Sequence, residues 1–294
     1  MKEQSTFSKK MLNVFLGVLS IEIYFTKMHG NGNDFIIIDN RISITEQIDV
    51  AKFVKTICRR NFHIGADGVI FLERITNGYV TMRYFNADGS EGEMCGNGAR
   101  CFAKYVFDKG LVPKQMTLKT KSGLYGLTII DDATVEITFP SYQVEEIKQI
   151  PDAAGGKIVY SVMVGVPHAV FFADAINKIA TFEYENFARK IRYNKGLFPN
   201  GTNVNMVERI SANRIYVRTY ERGVERETYA CGTGAIASSI IAASLKYVQP
   251  PVHVMMKGGE LVVSFREQNG TFTNVKLTGR AETVFEGRFH IEVD

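Results

Sequence analysis

The chain has 294 residues, 45% of them hydrophobic, enough for two modest domains with cores of their own. Lys plus Arg 35 against Asp plus Glu 31 leaves a net charge of +4, dispersed and without a basic tract interleaved with aromatics, so nucleic acid is not an expected partner. Four Cys in a chain this long make no disulfide framework, and no Cys-x-x-Cys or His-rich spacing reads as a metal site; reduced thiols in the cytoplasm are expected.

Lys9-Lys10 followed by the apolar run Met11–Ile21 has the charge and length of a signal-peptide core. Asn13 interrupts it, no small-x-small cleavage site follows, and it is too short to span a bilayer. Residues 1–20 therefore read as an N-terminal extension without a membrane role, with the folded domain starting near Ile21. Ile21–Phe25 predicts a strand, Lys27–Phe35 a polar turn and Ile36–Asp39 a second strand, together a hairpin. The Gly-x-Gly of that turn precedes a strand and lacks Gly-Lys-Ser/Thr, which argues against a phosphate loop. Ile44–Asn61 alternates as an amphipathic helix, with Cys58 a structural thiol. Gly65-Ala-Asp-Gly68 turns into the strand Val69–Glu73; Val80–Phe85 is the next strand, Arg100–Val106 a short helix, and Met116–Ile129 and Thr134–Phe139 further strands. Pro140-Ser141-Tyr142 marks the boundary between a first domain, 21–140, and a second, 141–276. In the second, Lys157–Val164 is a strand, Gly165-Val-Pro-His168 a turn, Ala169–Phe172 a strand, Glu185–Ile191 a helix, Phe198–Asn205 a loop and Ile215–Tyr220 a strand, and Gly258-Gly259 separates the last strands.

One stretch is used twice. Val80–Phe85 enters a polar loop that ends in Cys95-Gly-Asn-Gly98, and Ile215–Tyr220 enters one that ends in Cys231-Gly-Thr-Gly234, with Glu91 and Glu227 each four positions before the Cys. The glycines predict a tight turn with uncovered N–H groups, and the small, helix-forming residues that follow predict a helix that starts at the Cys. A thiol there is expected to have a lowered pKa, beside N–H groups able to hold a carboxylate. A single Cys-Gly would read as a buried, inert thiol; two with the same polar lead-in read as a facing pair.

Met28-His-Gly-Asn-Gly-Asn-Asp-Phe35, Asn86-Ala-Asp-Gly-Ser-Glu91 with Cys95-Gly-Asn-Gly-Ala-Arg100, Gly165-Val-Pro-His168, Thr202-Asn203, and Tyr220-Glu-Arg-Gly223 with Ala230-Cys231-Gly-Thr-Gly234 resemble the diaminopimelate epimerase family, in order, from about residue 21 to the C-terminus. The resemblance implies an α/β fold of two pseudo-symmetric domains, each a curved, mainly antiparallel sheet wrapped around a central helix. The active site would lie in the cleft between them, and the C-terminal strand, 277–294, would return to the first domain. It implies a cofactor-independent isomerase that interconverts LL- and meso-diaminopimelate for lysine and peptidoglycan precursor synthesis. Cys95 and Cys231 would be acid and base on opposite faces of Cα, with His168 and Glu221 their polar catalytic partners. Asn33, Asn86, Asn203 and Arg222 would bind the substrate, and Gly96, Asn97, Gly232 and Thr233 would present donors to the reacting carboxylate. An amino-acid substrate is the partner expected, with a homodimer left open.

The chain departs from the family pattern in Val166, where many members carry Asn, in Gly68, where some carry Gln, and in an Arg222–Cys231 loop one residue longer than the commonest form. These leave a related two-cysteine racemase, for histidine or another amino acid, as the alternative. A dithiol redox protein and a non-catalytic amino-acid-binding protein are the readings from other classes.

Overall fold

Phe35–Ile38 and Val69–Leu72 are apolar without interruption and every residue in both runs is buried, so the strands that carry them need cover on both faces. The computed structural model describes residues 12–15, 18–76, 78–139, 148–154 and 157–292. The first half runs β1 (Leu12–Phe15), β2 (Val18–Gly30), β3 (Asn33–Asp39), α1 (Val50–Ile57), β4 (Gly68–Thr76), β5 (Tyr79–Asn86), β6 (Glu91–Gly92), α2 (Gly96–Asp108), β7 (Gln115–Thr120), β8 (Gly123–Ile129) and β9 (Thr134–Thr138). The second runs β10 (Lys148–Ala154), β11 (Lys157–Val164), β12 (Val166–Phe172), α3 (Thr181–Arg192), β13 (Asn203–Ser211), β14 (Arg214–Glu221), β15 (Arg226–Thr228), α4 (Gly232–Ser244), β16 (Val252–Met256), β17 (Gly259–Gln268), β18 (Thr271–Arg280) and β19 (Glu282–Glu292).

The two halves repeat one topology. In the first, β3 pairs parallel with β4 across α1, β4 pairs antiparallel with β5, and β5 pairs parallel with β7 across α2. In the second, β12 pairs parallel with β13 across α3, β13 antiparallel with β14, and β14 parallel with β16 across α4. The remaining described pairings are antiparallel hairpins, with two exceptions that join the halves. β9 pairs with β18, Val135 opposite Gly279, and β19 returns to β2, Glu282 opposite His29 and Glu292 opposite Ser20.

Period-two alternation sorts the side chains between layers. Phe35, Ile37, Ile70 and Leu72 face the core that α2 and α4 share, while Ile36, Ile38, Val69 and Phe71 pack under α1 with Phe53, Val54 and Ile57. Ala169, Phe171, Val204 and Met206 do the same under α3 with Tyr184, Ala188 and Ile191. Ala235–Ala243 of α4 is buried throughout, which suits its small, apolar sequence to the centre of a wrapped sheet.

Several elements differ from their predicted bounds. β2 begins at Val18 and pairs with β1, so strand structure starts before Ile21, and it continues to Gly30. The polar turn shrinks to Asn31-Gly32, both at positive φ, because the alternating residues on either side keep the ladder going. The helix expected over Ile44–Asn61 breaks into a 3-10 turn, Ile44–Glu46, and α1, since Asp49 accepts from Lys52 N–H at 3.0 Å and starts a new helix there. Met116–Ile129 is a hairpin that reverses before Gly123, at φ 132°. The Arg100–Val106 helix extends to Gly96–Asp108, and Glu185–Ile191 to Thr181–Arg192. Pro140-Ser141-Tyr142 and residues 1–11 of the extension lie outside the described residues.

Candidate active site

Cys95 and Cys231 are the N-caps of α2 and α4, each with extended backbone. The Cys231 thiol accepts from Gly234 N–H at 3.4 Å and lies 3.6 Å from Thr233 Oγ1. The Cys95 thiol faces Asn33 Oδ1 at 3.7 Å. The glycines of the two motifs are not turn residues, because none of Gly96, Gly98, Gly232 and Gly234 has positive φ. Three of them serve close approach: a Cβ at Gly234 would stand 2.5 Å from Asn205 Oδ1 and 3.0 Å from Thr219 Oγ1, one at Gly232 2.9 Å from Leu277 and one at Gly98 3.0 Å from Ile70.

Asn97 links the two thiol sites. Its Nδ2 donates to Asn33 Oδ1 at 3.1 Å and to the carbonyl of Ala230, the residue before Cys231, at 3.2 Å. Asn33 is itself held by Asp67, whose Oδ2 accepts from Asn33 Nδ2 at 2.8 Å, and Asp67 is anchored by Arg60 at 2.8 Å. On the other side, His168 is fully buried. Its Nδ1 is 3.1 Å from Asn205 Nδ2, and its Nε2 is 3.5 Å from Asn203 Nδ2. Asn203 Oδ1 accepts from Arg222 N–H at 2.7 Å and Asn205 Oδ1 from Thr219 Oγ1 at 2.9 Å, which fixes both amides with Nδ2 toward the ring. The shorter contact makes Nδ1 the acceptor, so Nε2 carries the proton and the 3.5 Å contact with Asn203 Nδ2 sets two donors side by side without a hydrogen bond.

Burial dominates the electrostatics. It pushes the Cys95 thiol up to about 11 against the N–H groups of Gly98 and Asn97, with the Glu221 carboxylate acting in the same direction as burial. Cys231 is pushed well above the ordinary thiol range by burial, then by Glu221. The lowered thiol pKa expected from a helix N-terminus is thus overturned: the N–H groups pull downward at both sites, but desolvation is larger. Glu221, at the end of β14, is raised to about 7 by burial. His168 is depressed to about 3 by burial and by the Arg222 charge. Glu221 thus acts on both thiols and the Arg222 charge on His168.

A sequence profile described as diaminopimelate epimerase matches residues 25–142 and 160–284. The diaminopimelate epimerase of Methanocella arvoryzae is 43% identical over 284 residues, covering 92% of this chain and 98% of its own, and that of Archaeoglobus fulgidus is 39% identical over 280 residues, covering 91% and 96%. The chain belongs to the diaminopimelate epimerase family. The fold is shared more widely. A hydroxyproline epimerase from Agrobacterium vitis, solved with bound trans-4-hydroxy-L-proline, superposes with TM-score 0.65 at 16% identity, covering 93% of both chains. A Bacillus anthracis PhzF-family phenazine biosynthesis protein gives 0.67 at 13%, covering 91% of this chain and 99% of its own.

Against the family's motif, the sequence-predicted residues fall as follows. Asn33 opens β3, Asn203 opens β13 and Asn86 closes β5, where its Oδ1 accepts from Tyr84 Oη at 2.7 Å and its Nδ2 donates to Ser90 Oγ at 3.1 Å. Gly96 and Asn97, and Gly232 and Thr233, form the first turns of α2 and α4. Arg222 follows β14, its Nη1 donating to the Asn200 carbonyl at 3.1 Å. It makes no ion pair with Glu225, which pairs instead with Arg192 at 2.7 Å. Gly165-Val-Pro-His168 is not a turn beyond Gly165: β12 starts at Val166, and His168 sits in it opposite Val162 of β11 and Asn203 of β13, whose ladders on both sides take the segment into the sheet. The repeated Glu residues are hairpin locks, Glu91 pairing with Arg83 at 3.1 Å and Glu227 with Arg218 at 2.7 Å. Sequence reasoning missed Asp67, Tyr84, Asn205 and Thr219 as holders of Asn33, Asn86 and His168. Asp67 and Asn205 lay in quoted turn motifs, where their polarity read as turn chemistry.

Gly68 also has a structural reason. A Cβ there would stand 2.6 Å from Tyr84 Cε2, and one at Gly92 2.6 Å from Tyr84 Cδ1, so the ring is clasped between two glycines with its hydroxyl on Asn86.

Proposed function

We propose that this chain is a cofactor-independent epimerase that interconverts LL- and meso-diaminopimelate, with Cys95 and Cys231 as base and acid on opposite faces of Cα. The observation that carries this is the Asn97 bridge, which ties the first turn of one thiol helix to the residue before the other thiol, in a chain of the diaminopimelate epimerase family. Inversion needs one thiolate and one thiol. Glu221, titrating near 7, is the neighbour able to take a thiol proton, and Cys95 at about 11 ionises ahead of Cys231. The repulsion between Glu221, Cys95 and Cys231 keeps a second thiol protonated while one is ionised.

The α-carboxylate docks on the first-turn N–H groups of α2 and α4, which stabilise it as it gains enediolate character. The neutral His168 offers Nε2–H to the bound amino acid. Arg222, with no carboxylate partner among the described residues, takes the distal carboxylate together with Asn33, Asn86 and Asn203. We place the boundary between the catalytic halves at residues 140–141, with residues 277–294 belonging to the first. Among the described residues no helix is long and apolar enough to cross a membrane, and the free thiols of Cys58, Cys95, Cys101 and Cys231 fit a reducing cytoplasm.

Val166, partly buried where many members carry Asn, favours keeping one second reading, a racemase for an amino acid with an apolar or ring-bearing side chain. Solvent deuterium incorporation at Cα, measured over diaminopimelate stereoisomers and the standard amino acids, separates them. Fastest exchange and inversion with LL-diaminopimelate is the outcome expected here, and a higher kcat/KM for histidine contradicts it.

A further inference from the structure

Arg100 is fully buried, yet among the described residues every hydrogen-bond partner it has is neutral. Its Nη2 donates to Oδ1 of Asn31 and Oδ1 of Asn97, each at 3.0 Å, its Nε donates to the Arg280 carbonyl at 3.4 Å, and Nη1 meets no acceptor among the described residues. A buried cation without a counter-charge costs far more than such bonds return, so stability alone does not account for it. The fold also makes room for it. A Cβ at Gly30 would stand 3.2 Å from Arg100 Nη2, and one at Gly279 would stand 3.1 Å from Arg100 Nε, although neither glycine has positive φ. A Cβ would also meet the Asn97 carbonyl at 3.0 Å from Gly30 and Leu261 Cδ2 at 2.4 Å from Gly279, so β2 and β18 are bare of side chains where the guanidinium, Asn97 and Leu261 crowd together.

The seat controls two asparagines that both reach the second half. Because Arg100 holds Asn97 Oδ1, Asn97 Nδ2 is turned toward Asn33 and the Ala230 carbonyl. Because Arg100 holds Asn31 Oδ1, Asn31 Nδ2 is turned toward the Glu260 carbonyl at 3.1 Å, at the start of β17. There the Asn31 carbonyl lies against Gly258 so closely that a Cβ could not fit.

We propose that Arg100 is a positioning residue that aligns the two thiols across one α-carbon, acting through Asn97 and Asn31. This rests on the two-thiol reading above. Abstraction and return of a proton on one face need one thiol and a held carboxylate, whereas inversion needs both thiols in register. Loosening the link therefore depresses inversion more than exchange.

The test is the ratio of Cα solvent exchange to inversion for LL-diaminopimelate in deuterated water, in Arg100→Lys, Arg100→Met and Asn97→Ala. Melting curves establish which variants fold. Lys keeps the charge but loses the fork that holds both asparagines. Folded Arg100→Lys should lose about 10²-fold in inversion, the scale of a ~1 Å misplacement, while one-face exchange falls much less. Asn97→Ala should raise the same ratio. An unchanged ratio in folded Arg100→Lys, with both rates at wild-type level or both reduced in parallel, overturns the proposal. Should neither Arg100 variant fold, a wild-type ratio in Asn97→Ala overturns it. Failure of the two-thiol reading itself would be seen separately, as continued inversion by Cys95→Ala or Cys231→Ala in the same assay.

Discussion

The side-chain amide of Asn97, on the helix that Cys95 caps, donates to the carbonyl of Ala230, the residue before Cys231, at 3.2 Å. Two halves with the same strand order thus meet beside the two thiols that the repeat singles out, and the segment carrying Cys231 is held by the first half as well as by its own.

Glu221 gives the first prediction. Its carboxyl is raised to about 7, so it can accept a thiol proton only as pH passes that value. The log of kcat/KM should rise with pH through a limb near 7, and Glu221→Gln should remove that limb and lower the rate by about 10²-fold, the low end for a proton-transfer group. A limb that survives the substitution would assign it elsewhere. His168 should contribute none in this range.

His168 is instead expected to show in stability. Its folded pKa of about 3 lies below the ordinary 6.5, so the stability it contributes is fully present above 6.5 and is lost as pH falls toward 3. The loss is on the order of 5 kcal/mol for the whole of a shift of that size. Urea midpoints measured from pH 7 down to 4 should fall, and should fall less steeply in His168→Gln.

Among the described residues Arg222 has only a neutral side-chain bond, to the Asn200 carbonyl at 3.1 Å. If it grips the distal carboxylate, Arg222→Ala should cost about 2–5 kcal/mol in kcat/KM, the range for truncating one partner of a buried charge pair. KM should rise and kcat fall, because remote binding also orients the reacting carbon. Equal kcat/KM in variant and wild type, for diaminopimelate, would place the distal carboxylate elsewhere.

Oxidation should join Cys95 to Cys231 and inactivate the enzyme reversibly. Because burial holds both thiols protonated at neutral pH, the rate should climb steeply with pH. Peptide mapping reads the product. A dominant link from Cys95 to Cys101 would contradict it, since Cys101 is buried in the core with its thiol pushed up to about 12.

Much of this arrangement is legible in the chain. The doubled Cys-Gly-x-Gly predicts both helix starts, because small residues and cap geometry are local properties. The family motifs also place Asn33, Asn86, Asn203 and Arg222 at strand ends. What escapes is set by tertiary context. Pro167-His168 reads as a turn by composition, but β11 and β13 on either side recruit it into the sheet. The thiol pKa direction follows from helix dipoles only until burial is known, and burial reverses it. Asp67, Arg100 and Asn205 act on Asn33, Asn31 and His168, which lie 34, 69 and 37 residues away in sequence, separations no local pattern reports.

The most direct test of the two-thiol account is inversion of LL-diaminopimelate in deuterated water by Cys95→Ala and Cys231→Ala, beside Cys58→Ala and Cys101→Ala. The account predicts loss of interconversion by about 10²–10⁴-fold or more in each of the first pair, the scale of a general acid or base, with retained turnover in the folded second pair. Interconversion by either Cys95→Ala or Cys231→Ala within about tenfold of wild type, a barrier change of only ~1.4 kcal/mol, would contradict it.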